Sequence, residues 1–264
     1  YTRLVVGSVQ MCIRDRNKLI AIATISLLSG GISMAQKALN LEDIVAGNVI
    51  QTKGVGSMTW LKDGERYSRL ENNKQTGGTD IVAYQAKDNS REVIIPSSLL
   101  TDKSTGKPIP VRSISWSADN EKVLIYNNTQ RVWRYDTRGD YWVLNLKDGA
   151  LRQLGKGMPE SSMMFAKFSP DGTRVAYVSN NNIYVEDIDS GKITQLTKDG
   201  SDTIVNGTFD WVYEEEFSCR DGFRWSPDGK HIAYWQSDTK GTGVFDIINN
   251  VDSIYAKVIH FPYP

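Results

Sequence analysis

The chain has 264 residues, no net formal charge, 40% apolar residues and 23% charged residues, as in an ordinary globular domain large enough to bury a core. Its 31 basic residues are matched by 31 acidic ones, which leaves no basic excess for a polyanion, so nucleic acid is excluded as the expected partner. Only two cysteines are present, Cys12 and Cys219, which excludes a disulfide-built scaffold.

Residues 1–16, "YTRLVVGSVQMCIRDR", match no signal or folded pattern and are read as a non-native leader, with Met11 as an alternative start. Residues 17–35 read as a secretory signal. Arg14, Arg16 and Lys18 give the positive flank, "LIAIATISLLSGGIS" the short apolar run, and "SMA" ending at Ala35 a small-x-small cleavage site. The run is short for a membrane span, so export to the periplasm or the exterior is expected, with an uncleaved anchor as the alternative. Processing removes Cys12 and leaves Cys219 without a partner, to be read as a buried or half-buried small residue.

From residue 36 onward the chain repeats itself. "MTWLKDGERYSRL" from Met58, "ISWSADNEKVLIY" from Ile114, "AKFSPDGTRVAYV" from Ala166 and "FRWSPDGKHIAYW" from Phe223 align on Trp60, Trp116, Phe168 and Trp225. They recur roughly every fifty to sixty residues, close to the length of a propeller blade. In "SPDG", Pro170 or Pro227 presets φ in a tight turn and Gly172 or Gly229 closes it. The residues that follow alternate apolar and polar, as strands do. A second strand–turn–strand follows in three repeats, from Asp80, Asp140 and Asn182. Two hairpins per repeat make a four-stranded blade; the competing architecture is a β-sandwich with similar turns.

Chemistry-bearing motifs are few. No G-x-S-x-G elbow occurs after the signal, so a Ser-His-Asp centre has no support in these residues. His231 and His260 read as strand residues and share no metal-ligand spacing. "DIDSG" from Asp187 lacks the carboxylate that a calcium loop needs at its twelfth position, where Lys198 stands, and reads as a hairpin turn. No metal or cofactor is expected. Two segments remain. "FDWVYEEEF" places Glu214, Glu215 and Glu216 between aromatics, with Trp211, Tyr213 and Phe217 expected to anchor the segment. Adjacent carboxylates repel unless a cation is supplied, and a ligand amine or a nearby Arg would supply it. "RVWRYDTRGDYW" offers Arg131, Arg134 and Arg138, and arginine forms bidentate bonds to carboxylates and carbonyls. Taken alone, each segment is also compatible with a charged blade surface.

Together, "DWVYEEEF", the "WSPDG" that follows it, "VWRY" and the terminal "FPYP" resemble the propeller domain of the dipeptidyl peptidase IV family over roughly residues 40–264. The resemblance implies that Glu215 and Glu216 hold the free α-amino group of a peptide. It also implies that Arg134 contacts them and a substrate carbonyl, although Tyr135 stands where the family usually has His. It further implies a serine exopeptidase releasing N-terminal X-Pro or X-Ala dipeptides, with its triad in a downstream α/β-hydrolase domain and a parent that can be a homodimer. A prolyl tripeptidyl peptidase and a non-catalytic, protein-binding propeller are the alternatives. The expected fold is all-β: about four four-stranded blades of a larger, eight-bladed propeller over residues 36–264, ending before the hydrolase domain and inactive alone.

Overall fold

The computed structural model describes residues 40–45, 54, 56–132 and 134–263. The expected leader and export signal, with Cys12, lie outside the described residues. A short helix, α1 (Leu41–Val45), belongs to a first compact unit that ends at Gly54, and everything below concerns the second, Val55–Pro264. Among the described residues, no helix is long and apolar enough to cross a membrane.

The second unit is a partial β-propeller. Its first blade runs β1 (Thr59–Trp60), β2 (Arg66–Asn72), β3 (Thr79–Gln85) and β4 (Arg91–Ile95), antiparallel in that order. A small hairpin, β5 (Thr101–Asp102) with β6 (Lys107–Pro108), leads to the second blade. That blade comprises β7 (Ser113–Trp116), β8 (Lys122–Val132), β9 (Tyr135–Asn145) and β10 (Ala150–Gln153). The third has β11 (Met163–Phe168), β12 (Arg174–Ser179), β13 (Asn182–Asp187) and β14 (Ile193–Gln195), joined to the second where Met163 pairs with Gly139.

The aligned repeat motif is one turn built four times. The amides of Gly64, Asn120, Gly172 and Gly229 donate to the carbonyls of Leu61, Ser117, Ser169 and Ser226 at 2.9–3.0 Å. All four turn-closing residues have φ between 60° and 70°, which glycine adopts freely and asparagine tolerates. The aspartates at the third turn position, Asp63, Asp119, Asp171 and Asp228, each accept an amide two residues on, an Asx-turn. The aligned indoles link neighbouring repeats: Trp116 Nε1 donates to Ser68 Oγ at 3.0 Å and Trp225 Nε1 to the Lys167 carbonyl at 3.3 Å.

Strand alternation accounts for the core. Val123 and Ile125 of β8 pack with Ile81 and Ile95 of the first blade, while Leu124 between them packs with Val175 and Tyr177 of the third. In β12, Val175 and Tyr177 face the second blade while Ala176 and Val178 face Phe223 of the fourth repeat. Successive side chains point to opposite faces, so each central strand supplies two inter-blade cores.

The fourth repeat departs from the four-stranded pattern. β15 (Ile204–Asn206) pairs with β18 (Gln236–Asp238), β16 (Phe223–Trp225) with β17 (Ile232–Tyr234), and β19 (Gly243–Asn249) with β20 (Lys257–Tyr263). The division falls at Trp235, whose amide donates to the Gly222 carbonyl and whose carbonyl accepts from Gly207, both at 2.9 Å. Gly207 and Gly222 flank a segment, residues 208–221, inserted ahead of β16.

Candidate functional site

The inserted segment is tied at its base. Gly222 N donates to the Gly207 carbonyl at 3.1 Å, Thr208 bridges Asp221, and Thr208 Oγ1 donates to the Arg220 carbonyl at 3.0 Å. Lys167 Nζ, from the third blade, reaches Asp221 Oδ1 at 2.5 Å and lies 3.5 Å over the Phe223 ring. Burial pushes this ammonium down to about 8, against the pull of Asp221. Gly207 has φ of 72°, and a Cβ there would stand 2.8 Å from Ile183 Cγ1 and 2.9 Å from Val178 Cγ2. Gly207→Ala is therefore expected to lower stability by about 1–3 kcal/mol, through strain and overpacking together, read as a fall in thermal unfolding temperature.

Between these ties the chain forms α2 (Trp211–Phe217). Asp210 is its N-cap, accepting the Tyr213 amide at 3.1 Å, and Ser218 closes it in the left-handed conformation at φ 54°. The helical period separates the three glutamates. Glu214, one turn on from Trp211, is 6% exposed; Glu215 lies on the flank with its side chain 11% exposed; Glu216 is exposed. Of the aromatics expected to anchor the segment, Trp211 contacts the ring of Tyr263, but Phe217 is 66% exposed and Tyr213 is also exposed. They stand on the outward face of α2, where Tyr213 stacks on Phe209 at 5.3 Å. Anchoring comes from the base ties and the inward residues.

The partner element is the tip of the long β8–β9 hairpin. Tyr126 Oη donates to the carbonyls of Asp136 and Arg138, each at 2.9 Å, and the Arg131 guanidinium donates to the Arg134 carbonyl at 3.1 and 3.3 Å. Val132 pairs with Tyr135 to close the turn. Arg134 stands at the tip, its side chain 70% exposed, and its Nη2 meets Glu215 Oε2 at 2.7 Å. The structure thus brings Arg134 and Glu215 together across the sequence. Glu216 has no ion pair among the described residues and presents its carboxylate to solvent beside them.

Arg220, which no sequence motif singles out, and Glu214, the first of the three glutamates, complete the surroundings. Arg220 lays its guanidinium 3.3 Å over the Tyr135 ring, with its Nε buried. Glu214 is buried and its Oε1 has no hydrogen-bond partner; burial raises its carboxyl above the usual range, opposed by the charge of Arg220. Both line a cleft of about 630 Å³ between the blades, with Arg138, Phe165, Trp211 and His260 among its walls. The only sequence signal for this arrangement was Asp210 as a helix cap with acidic residues in the following turn.

Asp187, His260 and Cys219 have structural settings. Asp187 Oδ1 accepts from the Ser190 amide and hydroxyl, making the hairpin turn between β13 and β14. His260 lies in β20 with Nδ1 2.6 Å from Asp246, and Cys219 is half-buried. No group of His, Cys, Asp and Glu among the described residues is arranged to hold a metal ion.

Residues 117–264, more than half of the chain, match the family model described as the dipeptidyl peptidase IV N-terminal region. Dipeptidyl aminopeptidase B of Saccharomyces cerevisiae is 30% identical over 236 residues, covering 84% of this chain and 27% of that protein. A Chaetomium globosum protein named "Probable dipeptidyl-aminopeptidase B" is 36% identical over 132 residues, 50% of this chain and 14% of that one. The crystal structure of Porphyromonas gingivalis dipeptidyl peptidase 4 superposes with a TM-score of 0.72 at 25% identity, over 86% of this chain and 31% of that chain. The chain therefore spans less than a third of the length of these relatives. On its propeller blades, its acidic helix and these matches, the chain belongs to the dipeptidyl peptidase IV family and corresponds to its N-terminal region.

Proposed function

We propose that this chain is the substrate-recognition part of an exported serine exopeptidase that releases N-terminal X-Pro or X-Ala dipeptides. The nucleophile would stand on a hydrolase domain elsewhere in the full-length protein. The observation that carries this reading is the Arg134–Glu215 pair at 2.7 Å beside the exposed Glu216, on a helix capped at both ends and tied at its base. A peptide's α-ammonium brings three donors. Glu216 and the free lone pairs of Glu215 accept two or more of them as charge-assisted hydrogen bonds. Arg134, only partly used by Glu215, keeps N–H groups for a substrate carbonyl.

Two carboxylates on a fixed helix act as a stop. An ammonium held there sets how many residues reach the nucleophile, so the contribution to rate is orientation. A blocked N-terminus offers neither the charge nor the donors. The test is hydrolysis by the full-length protein of matched X-Pro substrates with free and acetylated N-termini. Acetylation is expected to reduce kcat/KM by more than about a hundredfold, from the loss of charged hydrogen bonds. Equal turnover of the two substrates rejects amine recognition.

A further inference from the structure

We infer that Arg220 is a positioning residue for this site: stacked on Tyr135, it holds the β8–β9 turn against the α2 segment so that Arg134 meets Glu215. The inference rests on the reading of Glu215 and Glu216 as ligands for a peptide amine.

Among the described residues, the turn reaches the α2 segment through two cationic contacts, Arg134 to Glu215 and Arg220 to the Tyr135 ring. The first is a poor organiser. Arg134 is long and mostly exposed, and an exposed ion pair gains little while ordering flexible side chains. The second is built on fixed parts. The Arg220 carbonyl is held by the buried Thr208, the next residue is bridged to Thr208, and its Nε is buried. The planar guanidinium covers the ring face, the geometry in which arginine and an aromatic attract. The buried Glu214 carboxylate supplies counter-charge to Arg220.

Tyr135 passes this restraint on to Arg134. The two are adjacent in sequence, Tyr135 pairs with Val132, and Arg131 holds the carbonyl of Arg134. Arg131, Val132, Arg134 and Tyr135 are thus tied to one another, and fixing the Tyr135 ring fixes where the Arg134 guanidinium starts from. A face-on aromatic is what this role needs. The tyrosine hydroxyl is not needed, so phenylalanine should serve equally.

The experiment is steady-state hydrolysis of a free X-Pro substrate by the full-length protein carrying Arg220→Met, Tyr135→Ala, Tyr135→Phe or the double change Arg220→Met/Tyr135→Ala, with Glu215→Ala alongside. Arg220→Met and Tyr135→Ala are each expected to raise KM about tenfold with kcat within about twofold. The double variant should be no worse than either single change, because both remove one contact, and Tyr135→Phe should retain the parent KM. If Glu215→Ala lowers kcat/KM by about a hundredfold or more while Arg220→Met and Tyr135→Ala leave KM unchanged, the positioning role is wrong and the amine site stands. If Glu215→Ala has no effect, the amine site itself is wrong. Should Arg220→Met fail to fold, the Tyr135→Ala and Tyr135→Phe pair decides alone, since that ring is at the surface. Equal KM values for those two variants overturn the inference.

Discussion

Alanine at Glu215 is expected to lower kcat/KM for X-Pro dipeptide release by the full-length protein by about a hundredfold to a thousandfold. Each charged hydrogen bond to a substrate ammonium is worth about 1.5–3 kcal/mol, or roughly ten- to a hundredfold. Glu215→Ala removes that and also frees Arg134, whose guanidinium then faces the incoming ammonium as a like charge. Glu216→Ala removes an exposed carboxylate that neutralises no arginine among the described residues, so its loss should be the smaller of the two, near the single-bond figure. Both glutamate variants should keep the parent unfolding temperature, since neither carboxylate is fully buried. Wild-type turnover by Glu215→Ala, or a larger loss from Glu216→Ala than from Glu215→Ala, contradicts this assignment of roles.

The propeller was legible because its signal is local and repeated. Asp171 and Gly172, or Asp228 and Gly229, fix a turn through hydrogen bonds within five residues, and the strands after them alternate in plain view. The division of the fourth repeat at Trp235 was not legible, because its cause is two glycines that let distant backbone segments approach. The acidic site was half legible. The residue types of Glu215, Glu216 and Arg134 allowed a charged surface as readily as a binding site, and the resemblance to a known family gave them roles. The helix leaves no clear pattern in the sequence because seven residues make barely two turns, too few for a 3.6-residue period to show against flanking aromatics. Nothing in the residue types therefore marks Glu214 as the buried one of the three glutamates or Arg220 as its neighbour, and Tyr213 and Phe217 read as anchors although they are exposed. A buried charge is hard to see in any single sequence, because its partners come from another repeat.

Glu186 is the clearest such case, and its replacement is expected to have the largest effect on stability. It sits in β13 within an ordinary alternating strand, yet is 1% exposed. Its Oε2 accepts the Gly155 amide at 2.8 Å and the Tyr177 hydroxyl at 3.3 Å, while Oε1 accepts Arg152 Nη1 at 3.1 Å. Arg152 and Gly155 belong to the second repeat and Tyr177 and Glu186 to the third, so one carboxylate ties two blades. Glu186→Ala strands all three donors and opens a cavity, and is expected to cost about 3–5 kcal/mol. A leucine filling the same volume should not rescue it. Apolar replacement of a buried ion pair can be neutral only when both partners are changed, and here one donor is the Gly155 backbone N–H, which a change at position 186 leaves in place. Glu186→Gln keeps an oxygen for that amide and should cost less, about 1–3 kcal/mol. Urea unfolding of the three variants separates these cases: the stability order Gln, then Leu, then Ala, with Leu well below the parent, supports the tie, whereas a leucine variant as stable as the parent shows that packing holds these blades and the carboxylate does not.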